Sequence, residues 1–244
     1  MKSRFFSKAL LNLYFWPMFI LVTAFGLVLA PFIVISIILF TRRKTDYALR
    51  WAIAVYGWVL VRAVPFFSRV QVISRYGKLP DTAIFAANHT SVIDPYLFGA
   101  LMVNACFITS WPFKIPVYGP LMHLAGYISS GEGWENIYLR ASEFLKSGTS
   151  LIFWPEGHRS RDGKLGDFKN GAFALSAQTG FPIVPVCILG AAKFMSPGSR
   201  ILTPSKVRIV ILEPVYPEGE SGSDIRAMRN KVKSVIQETL MEYA

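Results

Sequence analysis

Residues 9–41 form a stretch of 33 residues without a single charged side chain. As a helix this stretch would extend roughly 50 Å, whereas the hydrocarbon core of a bilayer is about 30 Å thick. We therefore expect a lipid-associated helix, which Pro17 and Pro31 are placed to kink. Equal numbers of basic residues flank it: Lys2, Arg4 and Lys8 before, and Arg42, Arg43 and Lys44 after. This symmetry gives no orientation preference and favours a re-entrant segment.

A cleaved signal peptide is the competing interpretation of this N-terminus. The apolar run is longer than an ordinary signal-peptide core, and basic residues 42–44 close it without a small-residue cleavage site. A retained segment is therefore the better prediction.

The next stretch, residues 47–67, is rich in aromatic side chains but also carries Arg50 and Arg62. It is predicted to be an amphipathic helix in the membrane interface, with its arginines reaching lipid phosphates. The chain is thus divided into N-terminal membrane-anchoring helices at 1–67 and one further domain at 68–244.

After residue 68, apolar runs alternate with helical patterns. Strands are predicted near 70–75, 82–88, 104–110, 126–130, 149–154, 182–189 and 206–213. Helices are predicted near 95–103, 117–124, 134–147, 168–179 and 223–243. This alternation predicts an α/β domain with a mixed, mostly parallel sheet flanked by helices.

A polar block at residues 88–94 follows the second predicted strand, which would deliver His89 to the carboxyl edge of the sheet. Asp94 precedes Pro95 and is predicted to be the N-cap of a helix. The intervening loop can fold His89 back onto the Asp94 carboxylate, which would fix the imidazole tautomer. Such a pair serves as a general base towards a hydroxyl, typically worth about 10²- to 10⁴-fold in rate. The alternative is a simple helix cap beside an ordinary loop histidine.

A second polar block, residues 155–163, follows the strand predicted at 149–154. Gly157 would let a ligand approach the main chain closely, and Arg159 and Arg161 offer forks that match a phosphate. Glu156 could accept a hydrogen bond from a hydroxyl or position Arg159. The alternative is a solvated, charged turn.

The two blocks resemble those of the lysophosphatidic acid acyltransferase (PlsC-like) family of glycerolipid acyltransferases. Residues 88–94, NHTSVID, match its NHxxxxD block, and residues 153–160, FWPEGHRS, match its FPEGxRS block. The resemblance runs from about residue 70 to about residue 215. It implies transfer of an acyl group from acyl-CoA or acyl carrier protein to a glycerolipid hydroxyl, without a covalent acyl-enzyme and without a further cofactor.

The resemblance also implies roles for individual residues. His89 would take the hydroxyl proton and Asp94 would orient it. The acceptor, expected to be 1-acyl-glycerol-3-phosphate giving phosphatidic acid, would be held by Lys114, Glu156, Gly157, Arg159, Ser160 and Arg161. Residues 184–186 are similar to a fourth, apolar block of the family, although a buried strand explains them equally well.

One position departs from the family pattern. The family's second block usually ends in an arginine that contacts the acceptor phosphate, and Glu132 stands near that position here. An acidic side chain would repel a phosphate. A different lysolipid, or an acceptor without phosphate, is therefore the alternative substrate.

The net charge of +11 requires an anionic partner. The basic residues are scattered and accompany no zinc spacing or nucleic-acid module, so nucleic acid is not expected. Anionic lipid headgroups, the phosphates of CoA and an acidic carrier protein are the expected partners. Cys106 and Cys187 lie in apolar runs and are predicted to be buried thiols without a disulfide or metal. We therefore expect the domain on the cytoplasmic face of the inner (plasma) membrane.

Parts of the sequence are compatible with two other function classes. A serine hydrolase could combine Ser91 with His89 and Asp94, but the three lie in one short loop and the chain has no G-x-S-x-G elbow. A non-catalytic membrane scaffold would share the same N-terminal helices, and only an assay of acyl transfer separates it from an enzyme.

Overall fold

The computed structural model describes residues 2–62, 70–160 and 163–243, with side chains from residue 6 onward. Its strands are Val70–Ser74 (β1), Ile84–Ala87 (β2), Ala105–Thr109 (β3), Ile128–Ser129 (β4), Ser150–Phe153 (β5), Ile183–Leu189 (β6) and Val207–Ile211 (β7). They form one seven-stranded sheet in the order β1-β7-β6-β2-β5-β3-β4. Every neighbouring pair is parallel except β6 with β7. The predicted mixed, mostly parallel sheet is therefore confirmed.

Helices flank the sheet, as predicted for an α/β fold. They are Lys2–Thr41 (α1), Thr45–Arg62 (α2), Asp94–Leu97 (α3), Tyr118–Leu124 (α4), Trp134–Lys146 (α5), Gly171–Thr179 (α6), Ala191–Phe194 (α7) and Gly222–Glu242 (α8). The helix predicted at 95–103 divides into α3 and a 3₁₀ helix at Phe98–Leu101. The short helix α7 and a 3₁₀ helix at Trp111–Lys114 were not predicted, because four residues are too few to show a helical period.

The alternation of β2 shows how the sheet separates two cores. Ile84 and Ala86 lie in a cluster with buried residues of α5, α6 and α8. Phe85 and Ala87 point the other way, into a cluster with residues of α1, α3 and α7. All four side chains are buried because helices cover both faces, as is usual for parallel sheets.

Helix α1 is a single continuous helix that contains Pro17 and Pro31. At 40 residues it is about 60 Å long. Its segment Phe6–Thr41 is long and apolar enough to cross a membrane, and an 18-residue window within it has a mean hydropathy of 2.7. Each proline removes one backbone hydrogen bond, and α1 continues through both of them. The segment is compatible with membrane association.

The chain reverses between α1 and α2, at residues 42–44, where Arg42 adopts a φ of 54°. Helix α2 then returns along α1, and the hydroxyls of Thr23 and Tyr56 are 2.7 Å apart. The reversal of the chain therefore lies after residue 41, and residues 9–41 belong to one continuous helix. The re-entrant arrangement in a bilayer stays a prediction.

The first half of α1 contacts the α/β domain directly. Leu11 is fully buried, and Asn12 bonds the main chain of Leu202 through both its amide nitrogen and its oxygen. Phe15 meets Phe194 of α7 edge to face, with ring centroids 6.3 Å apart. The proposed domain boundary at 67/68 lies in residues 63–69, outside the described residues.

Arg50 of α2 corrects one prediction. Its side chain was expected to reach lipid phosphates, but the residue is only 3% exposed. Its guanidinium donates to Asp46 at 3.0 Å, to the side-chain oxygen of Asn104 at 3.0 Å and to the carbonyl of Ala125 at 2.8 Å. The guanidinium therefore has its hydrogen-bond partners inside the protein. Arg50 joins α2 to the edge of the sheet instead of contacting lipid. Arg62 is exposed, and its contact with lipid phosphates stays a prediction.

Candidate active site

Strands β2 and β5 are parallel neighbours, with Ala86 in register with Phe153. Their carboxyl ends therefore meet at one edge of the sheet. His89 follows β2 and Glu156 follows β5, so the two polar blocks come together although 67 residues separate them. Lys114 follows β3, the next strand beyond β5, and is exposed at the same edge.

The imidazole of His89 is paired with the carboxylate of Asp94. Its Nδ1 lies 2.8 Å from Asp94 Oδ2, and Asp94 is fully buried. The same oxygen accepts the backbone N–H groups of Thr90 and Ser91, each at 2.8 Å. Because Asp94 occupies Nδ1, Nε2 is the ring nitrogen that can accept a proton, and 17% of the His89 side chain is exposed.

Asp94 does not have the position in the helix that the sequence predicted. It is the first residue of α3, and Ile93 stands at the N-cap without a side-chain cap. The carboxylate closes the loop before the helix instead of capping the helix, because its Oδ2 is engaged by His89 and the two loop amides. Loop closure by this carboxylate holds the imidazole in place.

The main chain of His89 is held by the second block. Its N–H donates to Glu156 Oε1 at 2.8 Å, and its carbonyl accepts from the N–H of Ser160 at 2.8 Å. The other oxygen of Glu156 accepts the N–H of Gly166 at 2.8 Å. Glu156 is 2% exposed. Both of its oxygens are thus engaged by backbone groups, a bracing role that the sequence did not indicate.

Gly157 lies on the exposed side of this loop, with a φ of 75° that favours glycine. A Cβ at this position would lie 2.7 Å from Nζ of Lys169, so a side chain would displace that lysine. Lys169 is fixed at its main chain, where its N–H donates to the carbonyl of Pro155 at 2.8 Å. Sequence reasoning missed Lys169, because nothing in its neighbours marks it as facing the glycine.

The other predicted binding residues differ in whether their side chains are exposed. Arg159 is exposed next to Gly157, whereas Ser160 is buried and contributes its main chain to His89. Arg161 lies outside the described residues. The segment 184–186 is buried in β6, as the strand interpretation predicted.

Glu132 is neutralised by a neighbouring arginine. Its two oxygens accept from Nη1 of Arg140 at 2.9 and 2.7 Å, and one of them also accepts the N–H of Ser129 at 2.9 Å. The second terminal nitrogen of Arg140 donates to the carbonyls of Gly126 and Tyr127. Burial alone would raise the pKa of Glu132, but these hydrogen bonds hold it below its ordinary value. The carboxylate is therefore ionised and paired.

The geometry argues against a serine nucleophile. Ser91 is fully buried and its hydroxyl donates to the carbonyl of Met195 at 2.7 Å. Cys106 and Cys187 are both buried free thiols, as predicted. Within the described residues, no three His, Cys, Asp or Glu side chains are grouped as a metal site requires.

Comparison with known proteins identifies similar chains. The family model named Acyltransferase matches residues 70–189. The chloroplastic 1-acyl-sn-glycerol-3-phosphate acyltransferase of Arabidopsis thaliana is 32% identical over 190 residues, covering 75% of this chain and 52% of that protein. The chloroplastic enzyme of the same name from Brassica napus is also 32% identical over 190 residues, covering 75% and 54%. This chain thus spans about half the length of these relatives.

A solved structure matches over nearly the whole chain. It is the crystal structure of the 1-acyl-sn-glycerophosphate acyltransferase PlsC from Thermotoga maritima, with a TM-score of 0.75 and 27% sequence identity. The match covers 96% of both chains and therefore includes the N-terminal helices as well as the sheet.

Proposed function

This chain belongs to the acyltransferase family of PlsC-like proteins, and from that we propose that it transfers a fatty acyl group from an acyl thioester to the free hydroxyl of a lysophospholipid. The observation that carries the proposal is the His89–Asp94 pair at 2.8 Å, placed where β2 and β5 end together. A buried carboxylate behind a partly exposed imidazole is an arrangement suited to general-base catalysis.

In this mechanism, Nε2 of His89 takes the proton of the acceptor hydroxyl. The acceptor oxygen forms a bond to the thioester carbonyl carbon, the carbon–sulfur bond breaks, and the imidazolium returns the proton to the departing thiolate. Asp94 fixes the tautomer and stabilises the imidazolium. A base held in this way typically contributes about 10²- to 10⁴-fold in rate. No group on the protein becomes acylated.

We propose 1-acyl-glycerol-3-phosphate as the acceptor. The names of the relatives support this substrate. Arg159 and Lys169 support it physically, because both side chains are exposed and the ammonium of Lys169 lies beside Gly157, where a phosphate could approach. The carboxylate of Glu132 does not oppose it strongly, since Arg140 neutralises that charge.

An acceptor other than 1-acyl-glycerol-3-phosphate is the second candidate, and the ion pair of Glu132 with Arg140 favours it. Each of the two charges at Glu132 and Arg140 is engaged by the other or by the main chain. This edge therefore presents no free cation from the pair to a phosphate. A lysolipid with another headgroup, or an acceptor without phosphate, would not need one there.

Acyl-CoA and acyl carrier protein are both proposed as donors, because the net charge of +11 attracts CoA phosphates and an acidic carrier alike. The helix α1 supports attachment to a membrane, and we propose that the α/β domain faces the cytoplasm at the inner membrane. Anionic lipids would add to the attraction.

The test is acyl transfer by the purified chain in detergent micelles, with a panel of lyso-acceptors offered with acyl-CoA or acyl carrier protein. We expect product from lysophosphatidic acid. His89→Ala should abolish transfer and His123→Ala, a matched change at an exposed histidine of α4, should not. Equal activity of His89→Ala and the natural chain would rule out the base. Inert lysophosphatidic acid beside another reactive acceptor would favour the second candidate.

A further inference from the structure

The imidazole of His89 lies face to face with the indole of Trp154. The ring centroids are 4.7 Å apart and the planes are inclined by 27°. Trp154 immediately precedes the Pro155–Ser160 part of the second block, so this block contacts His89 through a side chain as well as through its main chain.

The indole is itself held by two further aromatic rings. Phe107 of β3 stacks on Trp154 at 5.6 Å with an inclination of 17°, and Phe98 meets it edge to face at 6.4 Å. Phe98 is 4% exposed and joins Phe107 by a perpendicular ring contact. The indole therefore has little room to tilt or slide, and it presents a fixed plane to the imidazole.

Asp94 and Trp154 restrict different motions of the His89 ring. Asp94 binds one ring nitrogen, and this single hydrogen bond does not oppose rotation of the ring about the Nδ1–Oδ2 line. The indole face opposes that rotation. An electron-rich ring face also attracts a cation, and the attraction grows where water is excluded.

We propose, resting on the proposed role of His89 as the base, that Trp154 is a positioning residue for acyl transfer. It holds the imidazole plane so that Nε2 faces the acceptor hydroxyl. It also stabilises the imidazolium that forms when the proton is taken, so its effect falls on the chemical step more than on binding.

The role of the indole ring face can be tested separately from that of the indole N–H. Nε1 of Trp154 is buried and makes no hydrogen bond to the described residues. Phenylalanine would keep a ring face and lose the N–H, whereas leucine would lose both. The two substitutions therefore distinguish an aromatic plane from a donor group.

Steady-state kinetics of the full chain in detergent tests the proposal. Trp154→Leu should lower kcat by about 5- to 30-fold, the range of an aromatic–cation contact, with the KM for the acceptor little changed. Trp154→Phe should stay within about threefold of the natural chain, because the ring face remains. Trp134→Leu, a matched change at an exposed residue of α5, should leave kcat unchanged, and thermal unfolding identifies variants that do not fold.

Three kinetic outcomes would overturn the proposal. They are a folded Trp154→Leu with full kcat, a Trp154→Phe as impaired as Trp154→Leu, and a loss confined to KM. If Trp154→Leu does not fold, Trp154→Met replaces it in the same comparison. Activity in His89→Ala would instead defeat the proposed function itself, so the two failures are distinguishable.

Nuclear magnetic resonance of ring-labelled histidine provides a readout independent of activity. The chain has three histidines, of which His123 and His158 are exposed. The Cε1–H signal of His89, assigned by its loss in His89→Ala, should lie upfield because of the indole ring current. Trp154→Leu should move it downfield and Trp154→Phe should move it less. An unchanged signal in Trp154→Leu would show that the stack is not present in solution.

Discussion

His89 is fixed by groups that come from separate parts of the chain. Asp94 comes from its own block, whereas Glu156 and Ser160 come from the second block and bind its main chain on both sides. The main chain of His89 therefore cannot move without disturbing the loop after β5. Precise placement of this kind matters, because a base displaced by about 1 Å can lose about 100-fold in rate.

Glu156 is expected to act by bracing this arrangement. Glu156→Gln keeps the size but can accept only one of the two N–H groups, from His89 and Gly166, that the carboxylate accepts now. The unpaired N–H should lower the free energy of unfolding by about 1–3 kcal/mol. The kcat should fall with it, while the KM for the acceptor changes little. Urea unfolding and steady-state kinetics on the same preparation measure both quantities.

Glu213→Gln, at an exposed position just after β7, is the matched control and should leave stability and kinetics unchanged. A direct contact between Glu156 and the acceptor predicts the reverse pattern for Glu156→Gln: a raised KM with unaltered stability. That pattern would refute the bracing role.

At the level of single residues, the sequence predicted partners better than it predicted roles. The pairing of His89 with Asp94 depends on a short loop, and the order of residue types within one loop is visible in the sequence. The bracing role of Glu156 depends on the amides of His89 and Gly166, which only the adjacency of β2 and β5 and the return of the chain at 163–166 bring near. Arg140, which neutralises Glu132, lies eight residues further along in α5. It was not predicted, because the fold of the chain between Glu132 and α5 decides whether the two side chains meet.

Among the elements, α2 crosses the 3₁₀ helix at Phe98–Leu101 with a close approach of the two backbones. Glycines meet at this crossing: a Cβ on Gly99 would lie 2.3 Å from the carbonyl carbon of Gly57 and 2.4 Å from the nitrogen of Trp58. The segment with Gly99 follows α3 directly, and α3 begins with Asp94. Thus α2 packs against the segment that follows the site carboxylate.

Gly99→Ala is expected to force α2 away from this segment. The atoms in the way belong to main chain and cannot rotate aside, so the free energy of unfolding should fall by about 1–3 kcal/mol or more, as for other overpacked sites. Thermal unfolding in detergent, followed by circular dichroism, measures the change. Gly77→Ala, where a Cβ would meet nothing within 4 Å, is the control. Equal melting temperatures of the two variants would contradict the close crossing.

The elements themselves were largely predictable, because strands buried on both faces appear as continuous apolar runs. The position of α2 was not. Arg50 was predicted to bind a lipid phosphate, because basic side chains on an aromatic-rich helix at a membrane surface commonly do so. Its actual acceptors, at Asn104 and Ala125, are 54 and 75 residues away in sequence. No local pattern could reveal them.

On the scale of the whole molecule, α1 links an apolar surface to the site. Phe19 of α1 meets Tyr96 of α3 edge to face at 6.3 Å, two residues from Asp94. Further along α1, large apolar side chains are exposed, among them Ile20, Leu21, Phe25, Val28, Phe32, Ile35, Leu39 and Phe40. An acceptor with an acyl chain dissolves in a bilayer. A protein whose apolar helix touches the helix of its site carboxylate is suited to meet such a substrate there.

Charges on the exposed face of α1 should therefore release the protein from membranes without unfolding it. Leu21 and Val28 are 57% and 64% exposed, so Leu21→Asp with Val28→Asp leaves the buried core unchanged. Each aspartate costs about 2.5–3.5 kcal/mol at the centre of a bilayer, so the pair should lower partitioning by about a thousandfold or more. Flotation with anionic vesicles measures this, and the melting temperature in detergent should not change. The control is Leu139→Asp with Met241→Asp, at exposed positions of α5 and α8, which should float with the vesicles like the natural chain. If the variant with Leu21→Asp and Val28→Asp also floats like the natural chain, α1 does not hold the protein on the membrane.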